Sequence, residues 1–429
     1  MTRKPEIKSI NCTSCGAGLD VLGGGRVQVM VCGYCGSELD AQDNFAVLRT
    51  FSDLERPVSP FSIGMTGMIE GIPFTIIGTL GMMEQWKKRT WTWVDHQLYS
   101  QTHGYAYLTV ENGHLSFTRR YRGVTRPGWI GTLLVETSET PPKVEAADGT
   151  YTYFETSSST ITFVEGEFNW TPQIGAQVVS VSMLNNAAML GFQEAATEEE
   201  IWRTHYLPAE KVYASFGITD PPKPKGFNVL KPYVAGRHQK FLASAAAIFA
   251  LIAFVMSFTA VSLSGRGTVE IHKFDLDQLP QEIAFDVSQK DRLARIRLWA
   301  NVDNSWAFIG VGVTDPDDVP VFESGRTVER YSGRDKDGAW SEGRRTSELR
   351  FIPRQTGTYL VEVIVEEAET WQRTGSPLSQ VQVVTQEGVT NGRWLQFVGL
   401  VFALFGLYHL LRPHLHWKRR MKHGDWSDD

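Results

Sequence analysis

Two stretches interrupt an otherwise mixed alternation of apolar and polar positions. Phe241 to Gly265 (FLASAAAIFALIAFVMSFTAVSLSG) runs for 25 residues without a charge, between Lys240 and Arg266. A helix of that length reaches roughly 38 Å, enough to cross a hydrocarbon core of about 30 Å with some tilt. Trp394 to Leu411 holds 18 residues between Arg393 and Arg412, with Trp394 placed as an interfacial anchor and the polar Gln396 and His409 near the ends. Transmembrane helices are expected at 241–265 and 394–411. Elsewhere the dominant period is two. Trp91 to Tyr99 alternates aromatic and polar positions, and Asn112-Gly113 joins YAYLTV to HLSFTR as a hairpin. Glu70-Gly71 marks a second turn, and Tyr151–Phe154 and Thr160–Val164 read as strands on either side of a Ser-rich turn. Helix signals are few: a capping box at Thr197–Glu200 predicts a short helix, and Pro208 to Phe216 predicts one or two turns.

Residues 267–389 contain seven further short strands: 268–274, 282–287, 294–300, 307–313, 348–352, 359–366 and 380–385. Seven strands separated by turns predict an antiparallel β-sandwich. The stretch Leu349 to Val363 resembles the closing strands of immunoglobulin-like or jelly-roll domains, where a Gly-x-Tyr turn enters an alternating strand. Two acidic loops there, Asp315–Asp318 and Asp335–Gly338, lack the ligand spacing of an EF-hand and read as solvated loops.

Charge decides orientation. Lys223, Lys225, Lys231, Arg237 and Lys240 precede the first span, and Arg412, Lys418, Arg419, Arg420 and Lys422 follow the second. Between the spans, 16 Lys+Arg face 21 Asp+Glu, so the basic flanks belong in the cytoplasm and the middle segment outside. The polar opening, Met1 to Ser9, predicts no signal peptide. All four cysteines lie in the first 35 residues, on the expected reducing side, and the outer segment has none, which fits a bacterial plasma membrane. At 42% hydrophobic, 21% charged and net charge -6, the whole chain is neither a polytopic transporter nor disordered, and no global basic field recruits nucleic acid.

Cys12-x2-Cys15 and Cys32-x2-Cys35 have the spacing of a zinc ribbon. Two intervening residues let one tight turn aim both sulfurs at a single ion, and Gly16 and Gly36 relieve the backbone after each pair. Four thiolates fill a tetrahedral shell and leave no place for water, so the expected Zn2+ is structural and the metal ligands are Cys12, Cys15, Cys32 and Cys35. The ribbon is close to neutral, which disfavours nucleic acid as its partner.

The run IGMTGMIEGIPFTIIGTL, then WTWVDHQLYS, GYAYLTVENGHLSFTRR, GEFNW and YLPAEKVYASFG resembles the bacterial domain-of-unknown-function 4178 family over roughly residues 10–218. That resemblance implies an accompanying N-terminal zinc ribbon and gene neighbourhoods of membrane-stress (phage-shock-like) and polyamine-synthesis proteins. It supplies no catalytic residues. At the position where an acidic residue often precedes an aromatic-leucine pair, this chain has Asp95-His-Gln-Leu-Tyr. His96, His103 and His114 fall near Asp95 and Glu111 without a spacing that makes a mechanism, and they read as core or surface histidines. Trp86, Trp91, Trp93, Trp129, Trp170 and Trp202 are expected to fill a small sheet core, with a peptide- or ligand-binding groove as the alternative.

The expected architecture is a mainly β multidomain membrane protein. It comprises a zinc ribbon (1–50), a cytoplasmic β-rich domain (57–218), a basic Pro-rich linker (219–240) and a transmembrane helix (241–265), followed by an extracytoplasmic β-sandwich (266–393), a second transmembrane helix (394–411) and a basic cytoplasmic tail (412–429). The expected function is an inner-membrane adaptor with both termini cytoplasmic. It contacts membrane lipid and protein partners in cytoplasm and periplasm, and no nucleic acid. The alternative is a membrane-anchored enzyme or enzyme subunit linked to polyamine metabolism. Ala246-xxx-Ala250, Ala253-xxx-Ser257 and Gly399-xxx-Ala403 offer small-residue surfaces for helix pairing, within the chain or in a homo-oligomer.

Overall fold

The computed structural model describes residues 8–428 except 53, 87, 196–197, 265–267, 337 and 372–374. Thr197 of the expected capping box, Gly265 at the end of the first apolar run and Asp337 of the second acidic loop lie outside the described residues, as does the side chain of Trp86. Strand accounts for half of the structure. The chain divides into two compact units, residues 1–236 with 411–429, and residues 237–410.

In the first unit, eight antiparallel strands close on themselves. Ile72–Trp86 pairs with Arg89–Ser100, and pairing passes through Gly104–Glu111, His114–Arg120, Glu198–Leu207, Ala188–Ala195 and Gln177–Leu184 to Gly149–Phe168. Gly149–Phe168 then returns to the first strand, from Ile161 opposite Met82 to Gly166 opposite Gly78. Closure joins the two ends of the sheet through the long strand Gly149–Phe168, one part of which pairs with Gln177–Leu184 and the other with Ile72–Trp86. Both expected hairpins are present, with Glu70 and Gly71 at φ 52° and 81° and Asn112 and Gly113 at φ 49° and 81°. These left-handed pairs match the right-handed twist of the flanking strands.

Two expectations are corrected. Glu198–Leu207 is a strand of the ring rather than a capped helix, because its alternation (Ile201, Arg203, His205 against Trp202, Thr204, Tyr206) is satisfied by neighbours on both sides. The serines at 157–159 do not turn the chain but lie inside the 20-residue strand Gly149–Phe168, where they pair with Val178, Val179 and Ser180. The short helix Ala209–Ser215 forms as expected.

The outer face of the ring carries two apolar cores. In one, Phe74, Leu98, Leu108 and Phe117 pack under Val212 and Tyr213 of the short helix. In the other, Tyr151, Met183, Leu190 and Phe192 pack under Ile130 and Val135. The ribbon is continuous with this sheet: Val29–Val31 pairs with Gly166–Phe168, and Ser37–Asp40 and Ala46–Thr50 extend it outward. The Pro- and Lys-rich segment 219–236 is packed rather than loose, with Lys225 N–H donating to the Asn112 carbonyl and Leu230 buried against Phe154 and Leu184.

In the second unit, nine strands form a four-stranded and a five-stranded antiparallel sheet that share one core of Ile283, Phe285, Ile296, Leu298, Ile309, Val361 and Val383. The expected sandwich is present. The sequence reading missed the long hairpin Pro320–Asp335 with Gly338–Arg344, whose polar, Arg- and Glu-rich alternation carries few apolar residues. The Asp315 carboxylate accepts from the N–H groups of Asp317 and Val319, so it caps its own loop.

Two helices, Gln239–Ser264 and Arg393–Met421, are long and apolar enough to cross a membrane. The second runs ten residues past the expected end at 411, through Pro413 and into the basic tail. Ala246, Ala250, Ala253 and Ser257 are buried, while Phe241, Leu251 and Phe258 are exposed. A Cβ added at Gly406 would lie 3.4 Å from the Ala246 Cβ, and one at Gly399 would lie 3.2 Å from the Phe254 ring. The small residues let the two backbones approach.

Candidate metal centre and barrel interior

Each Cys-x2-Cys pair sits in the same knuckle. Gly16 N–H donates to the Cys12 carbonyl at 2.8 Å, and Gly36 N–H to the Cys32 carbonyl at 2.9 Å. Gly16 and Gly36 take φ of 80° and 69°, so a side chain at either is strained, and at Gly36 it would also strike the Phe51 carbonyl. The four Sγ atoms lie within 4.8 Å of one another, with Cys12 to Cys35 at 3.8 Å and Cys15 to Cys32 at 3.9 Å. Sulfurs at the corners of a tetrahedron with bonds of about 2.3 Å stand about 3.8 Å apart, so these thiols fit a metal ion. The Ser37 hydroxyl lies 3.3 Å from the Cys35 sulfur and, by donating to the thiolate, pulls that thiol down to about 6, while burial pushes Cys32 up to about 12. A bound ion would hold all four as thiolates and supply folding free energy.

The ribbon is also tied down by Glu167. This buried carboxylate on Gly149–Phe168 accepts from the backbone N–H groups of Leu22 and Gly23. Burial pushes it up to about 7 against those two hydrogen bonds, which lower it.

The concave face of the ring is mixed: Leu80, Met82, Ile161, Val164 and Phe168 form a buried apolar cluster there, with Trp93, Tyr107 and Trp170 packed against it, and polar groups lie beside them. Along Gly104–Glu111, Ala106, Leu108 and Val110 are buried in the outer core, while Tyr105, Tyr107, Thr109 and Glu111 face inward and keep partial exposure. On the neighbouring strand Trp93, Asp95 and Gln97 share that inward face. Thr109 opposes Asp95 and donates to it, and the Trp93 indole N–H donates to the same carboxylate at 3.1 Å. The Trp170 indole N–H donates to the Tyr107 hydroxyl at 2.7 Å, and the Tyr107 ring meets Trp202 edge-on at 5.7 Å.

Carboxylates from four strands sense one another across this face. Burial pushes Asp95 up to about 6, opposed by its two hydrogen bonds. Burial first, then the Asp95 charge, raises Glu111; burial, then Glu111, raises Glu84. Glu155 is pushed up to about 8 by burial, with the Glu84, Asp425 and Glu111 carboxylates adding to it. Across the closure Glu155 and Glu111 lie three strands apart. Asp95 and Glu111 stand out in the sequence as acids on alternating strands. Glu84, Glu155 and Asp425 do not, because only ring closure and tail docking bring them to the group.

The histidines do not join it. His96 is fully buried on the outer face, with Nε2 2.6 Å from the Ser59 hydroxyl and Nδ1 3.0 Å from the Thr79 hydroxyl. Burial pushes it down to about 3, helped by Arg56, so it stays neutral. His114 is also buried and His103 is exposed.

The tail packs onto this unit. Arg420 is fully buried, donating to the Val229 and Asn186 carbonyls with its guanidinium 5.5 Å from the Trp417 ring centre, and burial pulls it down to about 10. Trp426 packs beside the Tyr153 ring.

Residues 62–209 match the family described as a domain of unknown function (DUF4178). No curated protein matches the chain. Among solved structures, the insecticidal delta-endotoxin Cry8Ea1 of Bacillus thuringiensis is similar at 10% identity and a TM-score of 0.14, over 74% of this chain and 54% of the toxin. The VP2 subviral particle of infectious bursal disease virus is similar at 8% identity and a TM-score of 0.16, over 85% of this chain and 69% of VP2. This chain therefore spans about half of the toxin chain.

Proposed function

We propose that this chain, which carries a DUF4178 domain at residues 62–209, is a two-pass bacterial inner-membrane adaptor that engages protein partners on both sides. One observation carries the reading: residues 411–429, the basic end of the second helix and the residues after it, pack in the same compact unit as the ribbon and barrel, while the sandwich falls between the two apolar runs in sequence and belongs to the other unit. A chain that crosses a bilayer twice returns to its starting side. Large apolar side chains exposed along both helices, such as Phe258, Leu404 and Leu410, suit a lipid surround, and the basic flanks suit a cytoplasmic location for the ribbon, barrel and tail. On this reading the cysteine centre holds Zn2+ as a structural ion. Membrane stress, which the family resemblance implies, is the setting proposed for its partners.

Labelling of intact cells with a membrane-impermeant maleimide tests the topology. Lys336→Cys, exposed on the sandwich, labels from outside, and Lys211→Cys, exposed on the barrel domain, does not. Labelling of Lys211→Cys alone reverses the assignment.

The converging carboxylates favour a second reading, an enzyme or enzyme subunit linked to polyamine metabolism, because a carboxylate held near neutrality suits proton transfer. Asp95→Asn and Glu155→Gln separate the two readings. An adaptor keeps both its partners and its cellular function in these variants, whereas an enzyme keeps its partners and loses function.

A further inference from the structure

We propose that the concave face of the barrel binds an organic ammonium ion. Asp95, Glu111, Glu84 and Glu155 reach this face from four strands, and among the described residues Glu84 and Glu155 have neither a hydrogen bond nor an ion pair. A second observation is independent of the acids. Gln97, fully buried and two residues from Asp95 on the same face, donates its amide N–H to Asn169 but leaves Oε1 without a donor, directly across from Tyr107. A buried acceptor left bare is costly, and an N–H donor on a ligand removes that cost.

The arrangement selects the kind of cation. Among the described residues no three of these carboxylates lie within chelating reach of one another, which disfavours a cation such as Ca2+ that is caged by several protein oxygens. Trp93, Tyr107, Trp170 and Trp202 share this face; the first three pack against Leu80, Met82 and Phe168 and keep part of their aromatic surface exposed, the kind of surface that alkylammonium groups favour. Arg120, one of the basic side chains on the inward face, is paired with Glu200 at 3.0 Å.

Binding is linked to protons. The titratable and charged groups facing the site are Glu84, Arg89, Asp95, Tyr105, Tyr107, Glu111, Arg120, Glu155, Glu200 and Tyr206, with Asp425 and Arg420 from the docked tail and Lys231 from the linker beyond Tyr206. An arriving ammonium group favours the ionised carboxylates, so protons leave to the buffer and affinity rises with pH from about 5 to 8.

Binding at this face is independent of membrane topology. Full-length protein in detergent is titrated calorimetrically with ethylammonium chloride, 1,4-diaminobutane and MgCl2 in two buffers of different ionisation enthalpy. The expected result is saturable binding of at least one ammonium probe, with proton release and no comparable response to Mg2+. Asp95→Asn and Glu155→Gln each weaken it at least about tenfold, the effect of one lost charge-assisted contact. These isosteric changes retain volume, and if one variant fails to fold the other reads the same outcome. Lack of binding by both ammonium probes, equal binding of Mg2+, or unchanged affinity in the folded variants overturns the proposal.

Discussion

The Tyr153 hydroxyl donates to the Asp425 carboxylate at 2.7 Å, and the same oxygen accepts the Thr156 backbone N–H at 2.9 Å. Asp425 follows the second apolar helix by only a few residues, and Tyr153 belongs to the longest strand of the barrel. The bond joins positions 272 residues apart and fixes the tail to the barrel wall.

Asp425→Ala is expected to cost about 1 kcal/mol, as a charged acceptor of two hydrogen bonds disappears from an exposed position. Limited trypsinolysis of the full-length protein should then cut at Lys422, which the wild type resists. Equal cleavage in both proteins contradicts the docked tail.

Cys32→Ser is expected to abolish stoichiometric metal, measured by elemental analysis of the purified chain, and to unfold the ribbon. Gly36→Ala leaves the ligands in place but meets the Phe51 carbonyl at a left-handed φ of 69°, so it should weaken metal retention against a chelator. Gly16→Ala, with open space around it, should be milder.

Glu155 holds its proton up to about 8 in the fold against an ordinary value of 4.5, and Asp95 up to about 6 against 3.8. The folded state therefore binds more protons between those limits, and stability falls as pH rises from about 5 to 8, then levels off. In Glu155→Gln the part of that decline between pH 6 and 8 should shrink, read as melting temperature in detergent. A wild-type profile that rises across this window refutes the buried acid.

Ala246→Cys with Gly406→Cys should cross-link under oxidation, because the corresponding Cβ positions are 3.4 Å apart, close to the separation a disulfide requires. A pair that never cross-links rejects the helix packing.

The apolar runs, the cysteine pairs, the Asn112-Gly113 and Glu70-Gly71 turns and most sandwich strands were legible along the chain, because each is a local rule: uninterrupted hydrophobicity, ligand spacing, left-handed turn residues, period two. The Glu198–Leu207 strand was not, since the Thr-x-x-Glu pattern that opens a helix is outweighed by ladders on both sides. Nor was the uninterrupted Gly149–Phe168 strand, whose serines are held straight by their partners.

By itself, then, the sequence determined which segments are apolar, where a metal can be held and that the rest is β, since those depend on neighbours a few residues apart. Tertiary structure alone decided that eight strands close into a ring, that the ribbon extends its sheet, that Asp425 reaches Tyr153, and that four scattered carboxylates share one concave face. Those relationships span tens to hundreds of residues, and no local pattern encodes them because they are set by which edges find partners once the chain has collapsed.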